Sequence, residues 1–151
     1  MESIKGEYTI STDNRKLDIA FIHNYLSTSY WAEQIPIATV TKAIDGSLCF
    51  GVYHGAKQTV PAVRQVGFAR MVTDKATFAY LADVFIDEAH RGLGLSKWLV
   101  AAIMAHPDLQ GLRRIMLATR DAHGLYAQFG FTPLINPERW MQIHDPDIYK
   151  R

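Results

Sequence analysis

The segment Val84-Phe85-Ile86-Asp87-Glu88-Ala89-His90-Arg91-Gly92-Leu93-Gly94-Leu95-Ser96-Lys97 joins an apolar run to an amphipathic one through a turn with two glycines. Glycine permits positive φ and leaves the backbone uncovered, so a ligand can come close to it. The first amides of a helix have no intrahelical partner, and the helix dipole favours an anion beside them. A diphosphate can therefore sit on the amides of Leu93 to Ser96, with Arg91 and Lys97 supplying positive charge. The plain alternative is a structural strand-to-helix turn. A dinucleotide fingerprint requires glycine or alanine where Lys97 stands, and a Walker A loop requires a Gly-Lys-Ser/Thr ending that is absent here.

The elements that must hold this turn follow from periodicity. Leu17, Ala20, Phe21 and Tyr25 recur at helical spacing between Leu17 and Leu26, with Ile19 and Ile22 widening the apolar face. Pro36 opens a second helix whose stripe is Ile37, Val40, Ala43 and Ile44, and Gly46 supplies its stop. Strands are expected at Tyr8–Ser11, Leu48–His54, Gln65–Thr73 and Thr77–Asp87, with a turn-rich stretch holding Gly55 and Pro61 before the third. Leu95, Trp98, Leu99, Ala102 and Ile103 form the face of a helix ending before Pro107. Ile115–Ala118 reads as a buried strand, Ala122–Phe129 as a short helix stopped by Gly130, and Trp140–Ile143 as a strand closing the sheet. This order implies an α/β (α+β) fold: a mixed, mostly antiparallel sheet of about six to seven strands with helices on both faces.

The chain of 151 residues suits one domain spanning 1–151, and 48% hydrophobic against 21% charged residues is an ordinary globular balance. A net charge of +1 argues against a broad nucleic-acid surface. No stretch reaches the roughly 20 apolar residues of a membrane span, and the first residues lack a signal-peptide core, so the expected location is the cytoplasm. Cys49 is the single cysteine, set in a strand where it acts as a small hydrophobe. None of the six histidines has metal-ligand spacing, so no metal is expected, and His90 is expected to be solvated or to touch a phosphate.

Arg91, Gly94 and Ser96 stand where the GNAT superfamily of N-acetyltransferases has Gln or Arg, Gly, and Gly or Ala, so the sequence resembles that family with a departure at Ser96. A second family pattern, Leu-Tyr, three residues, Gly-Phe, is met by Leu125-Tyr126 and Gly130-Phe131. Many members carry asparagine seven positions before that tyrosine, where Thr119 stands here. The resemblance covers about Val66 to Leu134. It implies acetyl-CoA as co-substrate, with its pantetheine arm paired to the backbone of Val84, Phe85 and Ile86. It places the phosphates on the turn of Arg91, Gly92, Leu93, Gly94, Leu95, Ser96 and Lys97, with Thr119 at the amide-contact position. Tyr126 then matches the tyrosine that gives its proton to the departing CoA thiolate.

An alkyl amine arrives mostly protonated, because its pKa is near ~10.4, so a base is required. Asp83 is the candidate, a carboxylate in an apolar strand where burial would make it more basic. The competing role is a structural carboxylate capping the Arg91 loop or paired with Arg70 or Arg120. A backbone amide between Asp83 and Phe85 can polarise the thioester carbonyl. On the acceptor side, Tyr30 and Trp31 can hold an amine over their rings, Glu33 can attract its charge, and Trp140 can form the opposite wall. The acceptor is expected to be a small-molecule or peptide primary amine. A non-catalytic CoA-binding module and an acyl-CoA hydrolase are the alternatives, and Trp140–Tyr149 can serve a homodimer contact.

Overall fold

The computed structural model describes residues 1–55 and 63–151. The predicted turn at Pro61 lies outside the described residues. Among the described residues, six strands form one sheet in sequence order: β1 (Glu2–Lys5), β2 (Tyr8–Ser11), β3 (Leu48–His54), β4 (Arg64–Thr73), β5 (Phe78–Ile86) and β6 (Arg114–Met116). Every neighbouring pair is antiparallel except β5 and β6, which run parallel. Helix α3 (Leu95–Met104) makes that crossover, while α1 (Ile19–Leu26), α2 (Ile37–Asp45) and α4 (His123–Ala127) complete the fold.

The helices cover both faces of the sheet. Leu95, Leu99, Val100 and Ile103 of α3 pack with Phe50, Val52, Met71, Leu81 and Tyr126. Ile22 and Leu26 of α1 and Val40 and Ile44 of α2 pack with Cys49, Phe68 and Phe85 on the other side. Alternation along β3 explains the split, since Cys49 and Phe50 are consecutive and point opposite ways. Ile37, predicted in the buried stripe of α2, is exposed instead.

Local chemistry sets the ends. The Asp18 carboxylate accepts the N–H of Phe21 at 3.0 Å, so α1 starts at Ile19 and Leu17 lies before the cap. Gly130, at φ 91°, ends the turn after α4, and the Phe131 N–H reaches back to the Tyr126 carbonyl at 3.3 Å. The strand β1 was not anticipated, because Glu-Ser-Ile-Lys carries little apolar signal; its register with β2 is made by the backbone. The strand expected at Trp140–Ile143 is absent. That segment has no regular structure, and Met141 and Ile143 are 96% and 105% exposed.

Two features of β5 open the sheet. First, its pairing with β6 stops after Phe78–Tyr80 opposite Arg114–Met116, so Leu117 and Ala118, expected in the strand, leave it. Second, the register with β4 shifts between Phe68 and Arg70, which places Asp83 and Val84 opposite Ala69 alone. This is a β-bulge, and Asp83 adopts φ 56°, a left-handed conformation that aspartate tolerates better than most residues.

Candidate active site

The wedge between β5 and the chain after β6 contains a cavity of about 1090 Å³. Its walls include Asp83 and Val84 from the bulge, Thr119 and Arg120 after β6, Tyr126 from α4, and Tyr30 and Trp31 between α1 and α2. The cavity exists because β6 stops pairing while β5 continues. Beyond Tyr80, the edge of β5 that faces β6 carries no strand among the described residues, so its main-chain groups, apart from the Ile86 carbonyl that Arg91 holds, are open to an extended ligand.

At one end of β5 stands the glycine turn. Gly92 and Gly94 take φ values of 79° and 75°. A Cβ at Gly92 would meet nothing within 4 Å, and one at Gly94 would meet only Lys5 Nζ at 3.7 Å. Among the described residues, no side chain caps the start of α3. The turn is therefore not sealed by its own side chains, and its amides fit the diphosphate of a coenzyme A molecule. Lys5 was missed by sequence reasoning, because only the β1–β2 pairing brings it to the turn; its Nζ also lies 6.0 Å from the Trp98 ring centroid. The Arg91 guanidinium turns the other way, donating to the Ile86 carbonyl at 3.1 Å and the Tyr25 hydroxyl at 3.0 Å. His90 is not simply solvated: its Nδ1 shares a 2.9 Å hydrogen bond with the Tyr8 hydroxyl.

The Tyr126 ring is buried in the cavity wall and packs edge-on against Phe131, 5.9 Å between centroids. Among the described residues its hydroxyl has no hydrogen-bond partner. Burial, and secondarily Tyr30, pushes its pKa above the ordinary tyrosine value, so it stays a neutral O–H donor over the whole physiological range.

Asp83 is tied on both oxygens. Arg70 Nε donates to Oδ2 at 2.5 Å, and Trp31 Nε1 donates to Oδ1 at 2.8 Å. Arg70 also donates to Ser47 Oγ at 3.2 Å. The pairing with Arg70 foreseen as the structural alternative is thus present, and the one with Arg120 is not. A carboxylate has about four lone-pair sites, so room remains for a further donor. Thr119 Oγ1 accepts the Ala122 N–H at 3.0 Å and shapes the approach to α4.

The remaining predicted residues divide. Val84 lines the cavity, whereas the Phe85 and Ile86 side chains are in the core, Phe85 stacked on Tyr25 at 3.8 Å, which leaves only their backbone to face a ligand. Glu33 and Trp140 are not cavity walls: Glu33 is exposed in the turn after Trp31, and the Trp140 ring lies 4.5 Å from the Arg114 guanidinium. Tyr149, read in the sequence as the end of a homodimer-contact stretch, returns from the C-terminus to line the cavity.

A family model described as an acetyltransferase (GNAT) domain matches residues 45–133. The chain belongs to the GNAT acetyltransferase family. FG08082 of Gibberella zeae, an acetyltransferase by name, is 36% identical over 140 residues, which cover 82% of this chain and 78% of that protein. A crystal structure of a GNAT-family protein from Xanthomonas campestris superposes with a TM-score of 0.88 at 54% identity, covering 95% of this chain and 97% of that one. Rv2747 of Mycobacterium tuberculosis, solved in complex with CoA, shares the fold at a TM-score of 0.59 and 19% identity, covering 84% and 76% of the two chains. No helix among the described residues of this GNAT protein is long and apolar enough to cross a membrane.

Proposed function

We propose that this GNAT protein transfers an acetyl group from acetyl-CoA to a primary amine by direct attack within a ternary complex. The observation that carries the reading is the juxtaposition, in one cavity, of the unpartnered Tyr126 hydroxyl with the bulge residue Asp83. Acetyl-CoA supplies an activated thioester. The amides at Leu93 to Ser96 and the Lys5 and Lys97 charges hold its phosphates, Arg91 braces the strand end through Ile86 and Tyr25, and the open edge at Val84 to Ile86 aligns its pantetheine arm, with Thr119 facing it. A backbone amide at the bulge polarises the carbonyl.

Asp83, directly or through water, takes a proton from the ammonium, and the neutral nitrogen attacks the carbonyl carbon. As the C–S bond breaks, Tyr126 gives its hydroxyl proton to the sulfur, and the surplus proton on the attacking nitrogen passes through water to the phenolate, restoring Tyr126. Tyr30 and Trp31 bound the acceptor. The acceptor is a small molecule or a peptide amine, and the exposed apolar residues near Met141 and Ile143 serve a contact with a second copy.

The test is release of CoA thiol from acetyl-CoA by purified protein against a panel of amines, with product mass measured. Tyr126→Phe is expected to lower kcat by about 100-fold or more while leaving CoA binding intact. Wild-type kcat in that variant would remove the acid role. Retained CoA with no thiol release on any amine would favour the non-catalytic module, and release without amine would favour a hydrolase.

A further inference from the structure

The cavity carries three arginines, Arg70, Arg91 and Arg120, and two carboxylates, Asp83 and Asp121. Two of the arginines are occupied. Arg70 is bound to Asp83 and Ser47, and Arg91 donates to Ile86 and Tyr25.

Arg120 is different. Its guanidinium carbon lies 3.9 Å from the Tyr30 ring centroid, and its backbone N–H donates to the Tyr30 hydroxyl at 3.3 Å. Among the described residues it makes no ion pair, and neither does its neighbour Asp121. A guanidinium resting on a ring face cannot use its in-plane N–H groups on that ring, so they remain available as a planar fork. Such a fork matches a carboxylate or phosphate.

Charge decides between them. One uncompensated guanidinium balances one negative charge, whereas a phosphate monoester brings about −1.5 to −2. We infer that the acceptor is an amine that also bears a single carboxylate, an amino-acid-like zwitterion, with Arg120 gripping the carboxylate and Asp121 drawing the ammonium. This inference rests on the acetyltransferase reading of the same site, and it names the acceptor class that reading leaves open. Tyr30 then has a double role: its ring seats the guanidinium and its hydroxyl pins the backbone beneath it.

The experiment compares acetyl-CoA turnover on matched acceptors: α-, β- and γ-amino acids, their carboxamides, the amines lacking the carboxyl group, and an aminoalkyl phosphate. Wild type should prefer an amino acid over its carboxamide by about 10- to 100-fold in kcat/KM, the range for hydrogen bonds to a charged group. Arg120→Gln should lower kcat/KM for the amino acid by a similar factor, mostly through KM, and bring its ratio to the carboxamide close to one. Arg120→Lys, which keeps charge but loses the fork, should fall between them. Melting curves establish that both variants fold.

Turnover of neutral amines with no carboxylate preference, or a preference for the phosphate, overturns the inference and leaves the transferase standing. Absence of turnover on every amine overturns the transferase instead. Calorimetry of the amino acids against CoA-loaded protein then decides the inference: binding that Arg120→Gln weakens sustains it, and no binding by wild type overturns it.

Discussion

Trp31 Nε1 donates to Asp83 Oδ1 at 2.8 Å, which fastens the linker between α1 and α2 to the bulge in β5. These residues are far apart in sequence, and the bond sets the distance between two cavity walls. The indole therefore acts as a strut as well as an apolar surface. Arg70 holds the same carboxylate from β4, so this side of the cavity is framed by one triad across three segments.

Replacing Trp31 by phenylalanine keeps most of the ring and removes the donor. Because Trp31 is 41% exposed, water can partly replace the bond, and the stability loss should be about 1 kcal/mol in urea unfolding. KM for the acceptor should rise more than KM for acetyl-CoA. Equal effects on both would mean that the strut does not shape the acceptor side.

Arg70→Met strands a buried charge. The side chains of Arg70 and Asp83 are 20% and 9% exposed, so the remaining carboxylate has little water to turn to. Losing one partner of such a pair costs about 3–5 kcal/mol, which the urea midpoint should register. Arg70→Met combined with Asp83→Asn removes the charge while keeping a residue that tolerates φ 56°, and should recover much of the loss.

Gly94→Ala separates strain from ligand contact. Its added Cβ meets only the tip of Lys5, so the intrinsic cost is the left-handed backbone, about 1–2 kcal/mol. Gly111→Ala carries the same strain at φ 72°, with nothing within 4 Å, beyond the opposite end of α3. Both variants should lose similar stability, but only Gly94→Ala should weaken CoA binding by calorimetry, by about 10-fold or more. Parallel losses in Kd would mean that the turn does not touch the coenzyme.

Cys49 gives a pH signature. Burial pushes its thiol up from an ordinary 9.0 to about 12 in the folded chain. Above pH 9.0 the unfolded chain releases this proton and the folded chain keeps it, so the unfolded state binds fewer protons. Stability should therefore fall as pH rises from about 9 towards 12, with a slope up to about 1.4 kcal/mol per pH unit from this group. Urea midpoints between pH 8.5 and 11 should show a shallower decline for Cys49→Ala. The buried tyrosines Tyr53 and Tyr126 add slope of the same sign.

The glycine turn and the Tyr126 helix were legible because their chemistry is local. Left-handed glycines, uncapped amides and a Gly-stopped helix are written in adjacent residues. The core strands were legible from the apolar runs of Leu48–His54, β4 and β5. What escaped depends on partners. Trp140–Ile143 has a strand-like pattern, yet a strand exists only when an edge receives it. Glu2–Lys5 has almost no pattern and pairs because β2 offers an edge. The bulge at Asp83 and the stacking of Arg120 on Tyr30 join residues distant in sequence, which no local window reports.

The single surplus residue in β5 has a consequence for how this domain can change over generations. Substitutions around Asp83 alter the lining, but a deletion there would do something of another kind. With Asp83 or Val84 removed, β5 could match β4 one for one, straighten, and let the chain after Met116 continue zipping along it. The gap between the strands would close with every wall residue still encoded. Room for a ligand is thus stored in the count of residues, and lineages of this domain should tolerate many exchanges at that spot but no shortening.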